Sequence, residues 1–87
     1  MQNNYWVYML ECADKSFYTG IAKDPYARLE KHNSGKGAKY TSSRRPCRLV
    51  YLEESTDRGA AQSREAGIKK LSRTEKLQLI KSNPLNN

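Results

Sequence analysis

Apolar and aromatic positions fall in short runs separated by turn-forming and charged residues. The first run, Tyr5 to Cys12, is rich in β-forming side chains, and Ala13-Asp14-Lys15 offers a short turn before a second run from Ser16 to Ile21. Together they predict a β-hairpin. A three-residue turn pairing Cys12 with Ser16 would set Tyr8 and Tyr18 on one face. Asp24 before Pro25 predicts an N-cap with proline at the first helical position. That helix is expected to reach about Asn33, ahead of Gly35, with Tyr26 and Leu29 on its core face. Leu49 to Leu52 read as a buried third strand closed by Glu53-Glu54. Asp57 suits the cap of a helix from about Arg58 to Leu71, with either Ala61, Arg64 and Ile68 or Ala60, Glu65 and Leu71 along one face. Gly59 and Gly67 weaken it locally. Ser72-x-x-Glu75 is a capping-box pattern that opens a last helix with Leu77, Leu79 and Ile80, ending near Asn83-Pro84. The predicted order is β-β-α-β-α-α: an α+β single domain over residues 1–87, its core spanning about 5–82.

Charge changes this picture. From Ser34 to Arg48 the chain carries Lys36, Lys39, Arg44, Arg45 and Arg48 and no acid, with two glycines and a proline breaking any regular pattern, so this stretch reads as a basic loop. Sixteen Lys and Arg against nine Asp and Glu give a net charge of +7, which points to a polyanionic partner, nucleic acid first. Service to solubility, or ribosome-like composition, is the alternative reading of the same charge. At 87 residues the chain forms one domain, and folding buries only about 60% of the unfolded surface. Six tyrosines, one tryptophan and one phenylalanine must therefore supply much of the buried area. Cys12 and Cys47 lack CxxC spacing and stand with a single histidine, which argues against a structural zinc site or a disulfide framework and for a reducing cytoplasm. No apolar run approaches the roughly 20 residues of a membrane span, and Met1-Gln2-Asn3-Asn4 lacks the features of a signal peptide, so a soluble, unexported protein is expected.

Several residue types carry chemistry, each with a plain structural alternative. Tyr8 and Tyr18 are neighbours on the predicted hairpin, though paired strand tyrosines commonly just pack. Gly20 leaves a surface open to a phosphate or another backbone. Arg28 and His32, four apart on one helix, can grip phosphoryl oxygens and accept a proton, or simply form a solvated face. Glu65 is the one acid between Arg58 and Thr74, suited to a surface ion pair or to a magnesium site, which often needs only one or two carboxylates. Ser34-Gly35-Lys36-Gly37 fails as a Walker motif because no Ser or Thr follows the lysine.

Taken in order, Trp6-Val7-Tyr8, Tyr18-Thr19-Gly20, Arg28, His32 and Glu65 resemble the signature of the GIY-YIG nuclease superfamily. The segments "GKGAKYTSSRRP" and "QSREAGIKKLSR" are similar to its small stand-alone bacterial, UPF0213-like members. The sequence departs from the pattern at Trp6 and Val7 (Gly-Ile in the motif), at Thr19 (Ile), and at Leu77, where some members carry asparagine; the nearest later asparagine is Asn83. The resemblance implies a three-stranded antiparallel sheet flanked by helices and hydrolysis of a phosphodiester with one divalent cation, Mg²⁺ or Mn²⁺, at Glu65. It further implies Tyr8 as general base assisted by His32, Tyr18 orienting water or phosphate, and Arg28 on the scissile phosphate; the two tyrosines could exchange roles. Gly20, Lys36, Lys39, Arg44 and Arg45 are the expected nucleic-acid contacts, with DNA the first candidate substrate and RNA open. Two other readings compete: a binding module that keeps the scaffold with weak or no turnover, and a structural basic protein whose tyrosines are core.

Overall fold

The structure, a computed structural model, describes residues 4–83 and 85. Residues 1–3 and Pro84, on which the reading of the N-terminus and of the last helix's stop partly rests, lie outside the described residues. Strands β1 (Tyr5–Glu11) and β2 (Phe17–Ala22) form the expected antiparallel hairpin. Cys12 N–H bonds Ser16 O at 2.8 Å, and the register pairs Leu10 with Tyr18 and Tyr8 with Gly20. Strand β3 (Arg48–Ser55) pairs antiparallel with the other edge of β1, giving the order β2-β1-β3. It runs beyond the apolar stretch at both ends. Arg48 is held there by an ion pair to Glu11 at 2.6 Å, while Glu53 and Glu54 continue the ladder opposite Val7 and Trp6.

Helix α1 (Pro25–Asn33) starts where Asp24 accepts the Ala27 N–H at 3.1 Å. Its inner face is only partly the expected one: Leu29 packs inward as expected, but Tyr26 is 60% exposed, and Pro25 and His32 join Leu29 instead. Their spacing is that of one helical stripe, and the wide ring of Tyr26 falls outside it. Within the basic segment a single turn of helix, α2 (Lys39–Ser42), forms where the sequence suggested only loop. Helix α3 (Arg58–Lys69) is capped by Asp57, and α4 (Arg73–Ser82) opens on the Ser72–Glu75 capping box. Of the three apolar positions expected inside α4, Leu79 and Ile80 pack on the core but Leu77 is exposed.

The sheet separates two cores. One face packs Val7, Met9, Val50 and Tyr51 against Ala61 and Ile68 of α3. The other packs Tyr8, Leu10, Cys12, Ala22 and Cys47, with Leu29 of α1 against them. A register shift between Met9 and Leu10 lets Val50 and Tyr51 enter the same core, the mark of a β-bulge. Cys12 and Cys47 are free thiols with sulfurs 3.5 Å apart.

Candidate active site

Tyr8, on the central strand, is completely buried and its hydroxyl lies 2.9 Å from His32 Nε2. His32, buried in turn, places Nδ1 2.8 Å from Thr41 Oγ1. Thr41 Oγ1 donates to Ala38 O at 3.1 Å. A hydroxyl has one proton, so Thr41 can only accept from the imidazole. Nδ1 therefore carries the ring proton, Nε2 is the acceptor, and the Tyr8 hydroxyl donates to it. Four groups form one directed chain: Tyr8 to His32 to Thr41 to Ala38.

Two glycines make room for it. A Cβ at Gly20 would sit 2.6 Å from the Tyr8 hydroxyl, so the space expected there for a phosphate is filled by the phenol. A Cβ at Gly37 would sit 2.5 Å from His32 Nδ1. Neither Thr41 nor Gly37 carries a local signal in the sequence, because what makes them matter is contact with a ring on another element.

Burial and the neighbouring Tyr18 push the Tyr8 pKa up to about 12, with Glu65 adding to the rise; Arg28 opposes it by charge and hydrogen bonding. Burial, then the Arg28 charge, pushes His32 below its usual value, so at neutral pH the imidazole is uncharged and able to accept. Tyr18, half-buried, packs its ring 4.9 Å from that of His32 and 6.3 Å from that of Tyr8. Arg28 is exposed at the rim. The structure thus gathers Tyr8, Tyr18, Arg28 and His32, with Glu65 near enough for its charge to reach Tyr8.

Glu65 is half-buried and paired with Lys69 at 3.2 Å. Among the described residues no group of three or more His, Cys, Asp or Glu could hold a metal ion together. A donor set of one carboxylate fits a cation that keeps water and takes phosphate oxygens, as Mg²⁺ or Mn²⁺ do, and does not fit tetrahedral zinc.

The cations of the basic segment divide. Lys36 and Lys39 are exposed. Arg44 is bound to Asp14 at 3.0 Å and to Tyr40 O at 2.7 Å, and its guanidinium lies 3.9 Å from the Tyr40 ring centre. Arg45 bonds Ser42 O at 2.9 Å. Both arginines hold the loop's shape.

The model of the GIY-YIG catalytic domain matches residues 4–78. The chain belongs to the GIY-YIG family. Within it, the chain is 59% identical over 85 residues to a UPF0213 protein of Syntrophus aciditrophicus, covering 97% of each chain. It is 50% identical over 86 residues to a UPF0213 protein of Streptococcus sanguinis, covering 99% of each. Two solution structures share the GIY-YIG chain's fold. A UPF0213 protein from Bacillus halodurans is 47% identical, with a TM-score of 0.58 over 90% of this chain and 83% of that one. A protein from E. faecalis is 43% identical, with a TM-score of 0.63 over 94% and 90%. The three-stranded antiparallel sheet with flanking helices is thus common to chains of this group. No helix among the described residues is long and apolar enough to cross a membrane.

Proposed function

We propose that this GIY-YIG domain hydrolyses phosphodiester bonds of nucleic acid, DNA first, with one divalent cation at Glu65. The observation that supports this most is the directed chain from Tyr8 to Ala38, because a buried phenol aimed at a neutral, oriented imidazole is built to pass a proton. Arg28 binds the scissile phosphate. Its charge and hydrogen bonding already oppose the rise in the Tyr8 pKa, so the same side chain that holds the phosphate also favours loss of the phenol's proton.

The two acidities decide how the proton moves. With the Tyr8 pKa pushed up to about 12 and that of His32 pushed down, both by burial first, a phenolate and an imidazolium formed ahead of attack are disfavoured. The favoured path is concerted: water yields a proton to Tyr8 as Tyr8 yields its own to His32, the water oxygen bonds to phosphorus and the P–O3′ bond breaks, the departing O3′ taking a proton from solvent to leave a 5′-phosphate and a 3′-hydroxyl. Tyr18 orients the water or phosphate. The cation would stabilise charge on the leaving oxygen, held by Glu65, of which Lys69 takes one carboxylate oxygen.

That same ion pair favours a second reading, a nucleic-acid-binding module with little turnover, since Glu65 already has a counter-charge. A gel assay separates the two. Single-stranded, duplex, flap and branched DNA, and RNA, are incubated with Mg²⁺, Mn²⁺ or EDTA, beside a folded Glu65→Gln variant. Cleavage that needs metal and vanishes in the variant supports the nuclease; salt-sensitive binding without cleavage supports the module.

A further inference from the structure

Cys12 and Cys47 take no part in the proton chain, yet the fold brings them together from positions 35 apart in sequence. Cys12 directly follows β1 and Cys47 directly precedes β3. The register that pairs Glu11 with Arg48, continued by one residue, therefore sets the two cysteines opposite each other. The backbones stay joined beyond that point, where Ala13 N–H bonds Arg44 O at 2.9 Å. Opposed residues on antiparallel neighbours have Cα atoms about 4.5–5.5 Å apart, inside the span of about 4.4–6.8 Å that a disulfide accepts. Both side chains belong to the core on the Tyr8 face of the sheet, with sulfurs 3.5 Å apart. The chain is already placed for a bond between them.

Access and proton placement say how that bond would form. The cysteines line a cleft of about 190 Å³ together with Ala13, Lys15, Pro46 and Arg48, and keep 3% and 5% of their surfaces exposed. Such an opening favours an oxidant as small as hydrogen peroxide over a bulky one. Cys47 Sγ can donate to Cys12 Sγ or, at 3.7 Å, to Arg44 O. Burial, then the bond to Cys12, pushes the Cys47 pKa up to about 12. Cys47 thus keeps its proton, and Cys12 is the thiol that reacts first.

We infer that Cys12 and Cys47 form a redox clasp: a dithiol that a hydroperoxide converts, within the folded chain, to a disulfide that stabilises it. The Cys12 thiolate attacks one peroxide oxygen and the O–O bond breaks. The departing hydroxide takes the proton that Cys12 gave up and leaves as water, with Cys12 now a sulfenic acid. Cys47 Sγ then attacks the Cys12 sulfur, the S–O bond breaks, and the hydroxide released takes the Cys47 proton. Two thiols are oxidised by two electrons and one peroxide is reduced, giving one disulfide and two waters. A small thiol reverses the change by exchange.

The bond closes a loop that contains Tyr18, Arg28, His32 and Thr41. Its end at Cys47 is also clamped to α1, because Asn33, next to His32, accepts the Cys47 N–H at 2.7 Å and donates to Cys47 O at 2.9 Å. The link thus joins the strand that carries Tyr8 to the backbone that holds the end of α1, and it removes freedom mainly from the unfolded chain. It stands whether or not the chain cuts nucleic acid.

The test treats the purified, folded protein with a small excess of hydrogen peroxide, beside a sample kept reduced with a phosphine. Digestion without reductant should release a fragment carrying Cys12 joined to one carrying Cys47, and reductant should part them. The oxidised protein should remain a monomer and melt about 10 °C or more above the reduced form. Cys47→Val should abolish that shift and leave Cys12 as a sulfenic acid that dimedone traps. Thiols that survive peroxide in the folded protein, a bridge formed only between chains or only in urea, or an oxidised form that melts no higher than the reduced one overturns the clasp.

Discussion

Each face of the sheet buries one tyrosine, and the two are held in opposite ways. Tyr51 bonds Glu53, whose carboxylate also takes Arg64 Nε at 2.9 Å. Its phenol is bound to an anion already neutralised by a guanidinium, and burial followed by the Glu53 bond raises its pKa. The proton has nowhere to go. Tyr8 bonds a neutral imidazole whose other nitrogen is already committed, so its proton has an acceptor with a fixed orientation. Burial raises the pKa of both phenols; only the partner differs. The proposed chemistry therefore depends on where a hydroxyl points, and a strained pKa alone would have singled out both residues. The Tyr51 network serves position: it ties β3 to α3 at Arg64, the residue before Glu65.

The largest expected effect tests this contrast directly. Tyr8→Phe should lower cleavage by about 10²–10⁴-fold, measured on the folded protein, and should also lower the unfolding midpoint by the equivalent of about 1–3 kcal/mol because His32 Nε2 loses its donor. If Tyr51→Phe lowered cleavage equally, the distinction between the two faces would fail.

Next is Thr41→Val, which keeps shape and removes the acceptor. The His32 tautomer should shift toward Nε2–H, visible in the ¹⁵N shifts of the chain's single histidine. Cleavage should fall on the order of tenfold to a hundredfold, the equivalent of about 1–3 kcal/mol, and Thr41→Ser should restore both. A normal tautomer in the valine variant would remove Thr41 from the chain.

Third, Tyr51→Phe should cost about 1.5–3 kcal/mol of stability, as for a bond to a charged group, read as a lower urea midpoint, with cleavage by the remaining folded protein unchanged.

The smallest effect is in pH. His32 has a lower pKa folded than unfolded, so between the two values the unfolded chain binds more protons. Stability is complete above about 6.5 and declines as pH falls through the folded value, with a slope of at most about 1.4 kcal/mol per pH unit. Asp14 is held below the usual carboxylate value by its hydrogen bonds from Ser16. A flat urea midpoint between pH 7 and the folded value would mean that His32 accepts a proton without loss, against the role of a buried acceptor.

Elements with local signals were legible in the sequence. Asp24-Pro25 marks the start of α1, Ser72 and Glu75 that of α4, and the Cys12–Ser16 turn sets the hairpin register. Helix α2 was not, because its four residues follow Ala38, an N-cap that offers no side-chain hydrogen bond. Tyr26 was placed inward and His32 left as a phosphate-chemistry candidate with a solvated face as its alternative, since hydropathy counts an aromatic as apolar and an imidazole as polar. Burial of His32 becomes favourable only when Tyr8 and Thr41, from other elements, satisfy both nitrogens. The gathering of Tyr8, Arg28 and His32 was visible as an ordered motif. Thr41 and Gly37 depend on tertiary contact and left no pattern along the chain.

The strand order also bears on how the chain is made. The central strand comes first, and its second neighbour comes last, after α1 and α2. During synthesis the β1–β2 hairpin can close at once, yet the far edge of β1 stays open until residues 48–55 emerge. For that interval a strand of tyrosine, tryptophan, valine, methionine and leucine offers unpaired backbone to any neighbouring nascent chain. Aggregation at high expression should therefore respond to changes along β3 more than to changes in the hairpin turn.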